Sequence, residues 1–355
     1  MIKQITVIGG GSTGHAASAF LTAKGFEVTL CDHEGFEREL RQVEEAGGIL
    51  LHGRAGRGIY MPARVTHDFK LAVESAQLIM VCVPAARHGE VAERIAPWMK
   101  GGQSVLIVPG NLGSFLFQET FKRCNVPEDV IIAEMEGNLC PCRLSPPAEV
   151  TVGLPIRTKK VAALPGSKTA EFIERNQGVL DFAANRHVLE GALLSDNYVL
   201  HIGTSLLASS TIDQMGEEFI LFQHGLTDYA VHCTECIRQE RIRLLAQFGL
   251  EERDSATEFF EELRDWQNHP EYGVFRTLKG PDSLKHRYVE EDAAACASMA
   301  LSCADRFGVE MPVLRAVVTL AGAVNGKDYY ESGRTLENVG FGPEMTMEEI
   351  ISQIS

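Results

Sequence analysis

The chain has 355 residues, with 33 Lys+Arg against 48 Asp+Glu, and 45% of its residues are hydrophobic. That length predicts about two domains, each able to bury its own core, and the apolar fraction excludes a disordered polypeptide. A net charge of -15 argues against non-specific binding to nucleic acid, because a polyanion would be repelled.

No uninterrupted apolar run approaches the ~18–20 residues that a membrane helix needs. The start Met1-Ile2-Lys3-Gln4 leads straight into a strand-like run, so no signal peptide is expected. The nine scattered cysteines read as reduced thiols of a cytoplasmic protein.

Apolar, β-branched runs predict strands at Ile5–Ile8, Val28–Cys31, Leu78–Val83, Ser104–Val108 and Val130–Glu134. Helical patterns such as His15–Lys24 and Gly89–Trp98 separate most of them. Apolar strands alternating with helices mean a parallel sheet covered on both faces. Val150–Leu154 and Val161–Leu164 are expected to add strands that close the same region. From about Arg186 the strand signal ends. Long helical patterns follow at Leu189–Ser210, Gly216–Phe248, Ala256–Asn268, Glu290–Phe307 and Pro312–Ala323. The expected organisation is an α/β domain over 1–184 followed by an all-helical domain over 185–355.

Gly9-Gly10-Gly11-Ser12-Thr13-Gly14 follows the first strand and opens a helix. In such a G-x-G-x-x-G turn Gly9 permits the tight turn, Gly11 lets the backbone approach a pyrophosphate, and Gly14 allows close helix packing. The N–H groups of Ser12, Thr13 and their neighbours at the helix start, with the helix dipole, attract the anion. Asp32 ends the second strand, where a carboxylate accepts hydrogen bonds from ribose hydroxyls and repels a 2′-phosphate. No Lys or Arg directly follows it, so NAD(H) is favoured over NADP(H). The first domain therefore reads as a Rossmann-type doubly wound sheet. Val83-Pro84-Ala85 and Pro109-Gly110-Asn111 follow strand ends, where ligands sit in such sheets, and are placed around the nicotinamide half. Arg54 and Arg57, in the Gly-rich loop His52–Gly58, suit a phosphate or a carboxylate as well as a solvated loop.

In the second half, Asn197, His201 and Ser205 recur at four-residue spacing and share a helix face. Gly280-Pro281 precedes a polar cluster that contains Arg287 and Asp292. These two are five apart, hence not on one face of a regular helix. His224, Asp228, His232 and Cys236 also recur every four residues, with Cys233 beside them. His224 and His232 would lie about 12 Å apart along a helix, too far for one ion, and Cys140-Pro141-Cys142 has no partner pair, so no metal site is expected.

Together these residues resemble the octopine/nopaline (opine) dehydrogenase family over essentially the whole chain. The resemblance runs from Ile8-Gly-Gly-Gly-Ser-Thr-Gly-His15 through Val83-Pro84-Ala85 and Pro109-Gly110 to Asn197-Tyr-Val-Leu-His201. It continues at Gly280-Pro281, Arg287-Tyr288 with Glu291-Asp292, and Gly333-Arg-Thr-Leu-Glu337 with Gly340. It implies an NAD(P) domain followed by a helical substrate domain. It also implies NAD(P)H-dependent reductive condensation of an α-keto acid, pyruvate by family habit, with the amino group of an amino acid. By the same resemblance His201 donates the proton and polarises the carbonyl or imine, and Asp292 orients it. Arg287 clamps a substrate carboxylate, and Asn197 holds substrate or imidazole. The His224–Asp228–His232 stripe departs from the family pattern. The implied partners are thus two small molecules, with a homodimer as the candidate assembly.

Two other readings stand beside this one. A 2-hydroxy-acid or ketopantoate-type reductase shares the two-domain plan but commonly uses a Lys acid, for which only Lys279 and Lys285 lie nearby. A non-catalytic NAD(H)-binding sensor would keep the fold without turnover.

Overall fold

The computed structural model describes residues 2–253 and 255–355. The chain divides into two compact units, Met1–Gly191 with Gln353–Ser355, and Ala192–Ser352.

Among its described residues the first unit carries twelve strands, β1 Gln4–Ile8, β2 Glu27–Cys31, β3 Ile49–Gly53, β4 Gly58–Tyr60, β5 Arg64–Thr66, β6 Leu78–Val81, β7 Ser104–Ile107, β8 Ile131–Met135, β9 Cys142–Ser145, β10 Glu149–Val152, β11 Lys159–Ala163 and β12 Phe182–Ala184. Eight of them form one sheet in the order β12-β11-β8-β7-β6-β1-β2-β5. All its pairs are parallel except β8 with β11. Both faces of the central strands are apolar, and successive residues serve opposite cores. Leu78 and Met80 pack with Ala16, Ala17 and Leu21 on one side. Ile79 and Val81 pack with Val91, Ile95 and Phe117 on the other.

Val150–Leu154 was expected to extend this sheet, but β10 belongs to a second sheet of order β4-β3-β10-β9. There β3 pairs with β10 in parallel, Leu50 opposite Glu149, and the two outer pairs are antiparallel. The glycine-rich loop is accordingly the turn between β3 and β4. Arg54 and Arg57 are exposed there, and the Arg54 N–H donates to the Val152 carbonyl at 2.9 Å. The helix Ser12–Ala23 packs against this small sheet as well as against β1 and β2.

His15 lies on that helix, fully buried, with Nδ1 3.1 Å from the Gly11 carbonyl and no partner for Nε2. Burial holds its imidazole below the ordinary value of 6.5, and His187 is lowered for the same first reason. The folded chain therefore keeps His15 neutral while the unfolded chain protonates it, so the unfolded state binds more protons as pH falls below 6.5. Stability is expected to drop by up to about 1.4 kcal/mol per pH unit for each such histidine. Melting curves between about pH 7.5 and about pH 5.5 should show this slope and its reduction in His15→Gln. An unchanged slope in the variant would assign the acid sensitivity to other groups.

The second unit is helical among its described residues, apart from one bridge between Ile220 and Gly280. Its expected long helices are broken at definite points. The run from Leu189 is realised as Val188–Leu194, Asn197–Leu200, Ile202–Leu207 and Ser209–Met215. Arg241, 1% exposed, donates to the Ser195 carbonyl at 3.3 Å and to Asp196 Oδ1 at 2.7 Å, which satisfies the chain where the helix stops. The run from Gly216 contains a π turn at Leu221–Gly225 before Thr227 caps the helix Asp228–Gln247. No helix among the described residues is long and apolar enough to cross a membrane.

Candidate active site

In the first unit the glycine turn connects β1 to the helix Ser12–Ala23. Gly9 has φ +134, and a Cβ there would stand 2.4 Å from the Cys82 carbonyl oxygen. A Cβ on Gly14 would stand 1.7 Å from the Gly9 carbonyl oxygen, so Gly14 lets the helix close onto the turn itself. Gly11 is different: a Cβ added there meets nothing within 4 Å. It is the N-cap of a helix with no side-chain cap and no acidic residue in its first turn. An open, uncapped helix start fits a dinucleotide pyrophosphate. The side chains of Ser12 and Thr13 are already engaged, Ser12 Oγ accepting from the Leu144 N–H at 3.0 Å and Thr13 Oγ1 donating to Asn138 Oδ1 at 3.1 Å.

Asp32, 3% exposed, accepts the Gly10 N–H at 2.6 Å and the His33 N–H at 2.7 Å. These bonds fix the carboxylate against the turn at the end of β2, where a ribose would lie. The Val83 carbonyl lies 3.3 Å from His88 Nε2, and Pro84 caps the turn after it. Asn111 is buried with φ +47 in the turn after β7. That turn is held by Glu134, a buried carboxylate in β8 that accepts from the Leu112 N–H at 2.9 Å and the Ser114 N–H at 2.8 Å. Glu134 was not singled out in the sequence. Its signal was a lone acid in the buried strand Ile-Ile-Ala-Glu-Met.

In the second unit the His201 N–H donates to the Asn197 carbonyl and the Ser205 N–H to the His201 carbonyl, each at 2.9 Å, so the three do stand one turn apart. His201 and Asp292 are both buried, and His201 Nδ1 lies 2.8 Å from Asp292 Oδ2. A carboxylate only accepts, so Nδ1 carries the proton in this bond and Nε2 is left for other chemistry. The helix Arg287–Asp292 delivers the acid. It begins where His286 accepts the Tyr288 N–H, and Asp292 at its end leads directly into a π turn at Ala293–Ala297. The Arg287 guanidinium lies 5.9 Å from the centroid of the Tyr288 ring. Tyr288 in turn stacks on His201, a contact that the sequence does not announce although its i, i+4 relation to Asp292 is the available signal.

The remaining polar groups do not converge. His224 Nδ1 accepts the Ile220 N–H at 3.0 Å within the π turn, Asp228 pairs with Arg264, and His232 Nε2 is 3.9 Å from Cys236 Sγ. No group of three or more His, Cys, Asp or Glu among the described residues could hold a metal ion. Lys279 is exposed and pairs with Glu218, and Lys285 is exposed.

Two family models match separate stretches of the chain. Residues 184–325 match the family model described as NAD/NADP octopine/nopaline dehydrogenase, alpha-helical domain, and residues 5–113 match ketopantoate reductase PanE/ApbA. An opine dehydrogenase of Arthrobacter sp. (strain 1C) is 29% identical over 348 residues, covering 95% of each chain. A solved octopine dehydrogenase in complex with NADH and agmatine superposes with a TM-score of 0.71 at 18% identity, over 99% of this chain and 98% of that one. A yersinopine dehydrogenase with NADP+ bound gives 0.63 at 15% identity, over 99% and 98%. These two structures share the fold. Residues 184–325 are thus an octopine/nopaline dehydrogenase helical domain, and the chain, similar to a curated opine dehydrogenase along nearly its full length, is an NAD(P)-dependent oxidoreductase acting on CH–NH donors.

Proposed function

We propose that this chain reductively condenses an α-keto acid, pyruvate-like in size, with the amino group of an amino acid, and runs the reverse oxidation. The observation that carries the reading is the buried 2.8 Å bond between His201 and Asp292 in the unit that matches the family's helical domain. NAD(P)H, when bound, supplies the hydride. His201 polarises and protonates the carbonyl oxygen or imine nitrogen through Nε2. Asp292 keeps the imidazole in one tautomer and stabilises its charged form. Arg287 clamps a substrate carboxylate through two parallel N–H···O bonds, which lysine could not match. Asn197, one turn before His201, holds substrate or imidazole. The free cysteines support a reducing, cytoplasmic setting.

NADH is the favoured cofactor. Support comes from the Asp32 carboxylate, which would repel a 2′-phosphate, and from a neighbouring groove in which Glu34, Glu37 and Glu44 outnumber Arg41 and His67. The exposed, ion-paired Lys279 supports no lysine acid of the hydroxy-acid type.

The test is oxidation of NADH and NADPH with a panel of α-keto acids, each with and without a panel of amino acids. NADH oxidation that requires both components, with a secondary-amine product by mass, is expected. Oxidation by a keto acid alone would support the hydroxy-acid reading, and NADH binding without turnover would support a sensor. In the same assay Asp32→Ala should weaken NADH more than NADPH, and the opposite ranking would overturn the cofactor assignment.

A further inference from the structure

The helix that delivers Asp292 brings a second side chain to His201. Tyr288 precedes Asp292 by one turn, so both occupy the same helix face. The Tyr288 ring lies flat on the imidazole, with centroids 3.9 Å apart and planes 11° apart. Phe222 meets the imidazole edge-on at 6.4 Å, and His286 meets the Tyr288 ring edge-on at 4.6 Å. The Arg287 guanidinium stands off Tyr288 at 5.9 Å from its centroid.

A hydrogen bond at Nδ1 alone leaves an imidazole free to swing about that bond. The torsion that turns the ring has a broad minimum, so it supplies little restraint of its own. A flat ring at van der Waals distance removes that freedom and fixes the direction in which Nε2 points. What Tyr288 presents to the imidazole is its face.

We infer that Tyr288 is a positioning residue for the reaction proposed above, on which this inference rests: its aromatic face fixes the plane of the His201 imidazole and so aims Nε2 at the atom to be protonated.

The experiment compares Tyr288→Leu with Tyr288→Phe in the full chain. The Leu variant should lose about 10-fold or more in kcat, because a small misplacement of a catalytic group is costly. Its KM for NADH should stay within about twofold, since the glycine turn is untouched. The Phe variant, which keeps the face, should retain kcat within about threefold.

A second readout does not depend on activity. The low-field proton NMR signal of the imidazole N–H bound to Asp292, assigned by its loss in His201→Asn, should persist in Tyr288→Phe and broaden or vanish in Tyr288→Leu. If the Leu variant melts much earlier than wild type, Tyr288→Met, unbranched and without a flat face, carries the same comparison. Wild-type kcat and an intact signal in the Leu or Met variant would overturn the inference. So would equal loss in Phe and Leu, which would assign the role to the hydroxyl. A wild-type chain without amine-dependent oxidation would instead refute the proposed reaction, and the NMR comparison would still decide whether Tyr288 orients His201.

Discussion

His201→Ala is expected to lower the turnover of the reductive condensation by about 10²–10⁴-fold, the range for loss of a positioned general acid. NADH affinity should stay within about twofold of wild type. The two effects separate because His201 belongs to the helical unit, whereas the glycine turn and Asp32 belong to the other. Asp292→Asn tests the same pair from its other side. An amide of the same shape keeps the contact at 2.8 Å possible but supplies no charge to the imidazolium and does not enforce the tautomer. A comparable fall in kcat is expected, with little change in KM for NADH. Single-turnover rates and NADH fluorescence titrations on both variants make the measurement. Parallel loss of NADH binding and of melting temperature would mean that the histidine supports the fold rather than the reaction.

Gly14→Ala should abolish NADH binding and destabilise the first unit by about 1–3 kcal/mol, the usual cost of forcing a methyl group into filled space. Its new Cβ would sit 1.7 Å from the Gly9 carbonyl oxygen, so the turn itself must move. Gly11→Ala should behave in the opposite way. Its φ of -87 and ψ of -169 suit any residue, and nothing lies within 4 Å of the added methyl. The variant is expected to melt like wild type or slightly above it, because alanine restricts the unfolded chain. Its NADH affinity should nevertheless fall by about 10-fold or more, since the methyl occupies the approach of the pyrophosphate to the backbone. Melting curves and NADH titrations on the two variants, side by side, distinguish the roles. Tight NADH binding by Gly11→Ala would remove that glycine from the cofactor site.

The main sheet was legible because its central strands are short, continuous apolar runs with both faces buried, as in Leu78-Ile-Met-Val81. The small sheet was not. Its strands β3, β4 and β9 are three to five residues long and carry His52, Gly53, Gly58 and Arg143, and β3 is stabilised by pairing with β10 about a hundred residues later. Local pattern holds no trace of such a partner. Helix breaks were hidden for a related reason: the stop at Ser195–Asp196 depends on a guanidinium from position 241. At the candidate site, the four-residue spacing of Asn197, His201 and Ser205 could be read directly. The pairing of His201 with an acid 91 positions away could not, and it entered through family resemblance alone. Tyr288 stood inside the quoted motif, yet nothing in a sequence says that a ring will lie on an imidazole.

Glu134 has a consequence for charge selection in the first unit. By accepting the Leu112 and Ser114 N–H groups it places the protein's own carboxylate at the electropositive start of the helix Gly113–Arg123. The start of the helix Ser12–Ala23 receives no such internal anion from its cap or first turn. Of these two helix starts, both set beyond strands of one sheet, one is neutralised from within and the other is left for a guest. A diphosphate would therefore meet the protein's own charge at Gly113 and none from the cap or first turn at Ser12. A buried acid beneath the Asn111 turn thus sets where negative charge is not welcome.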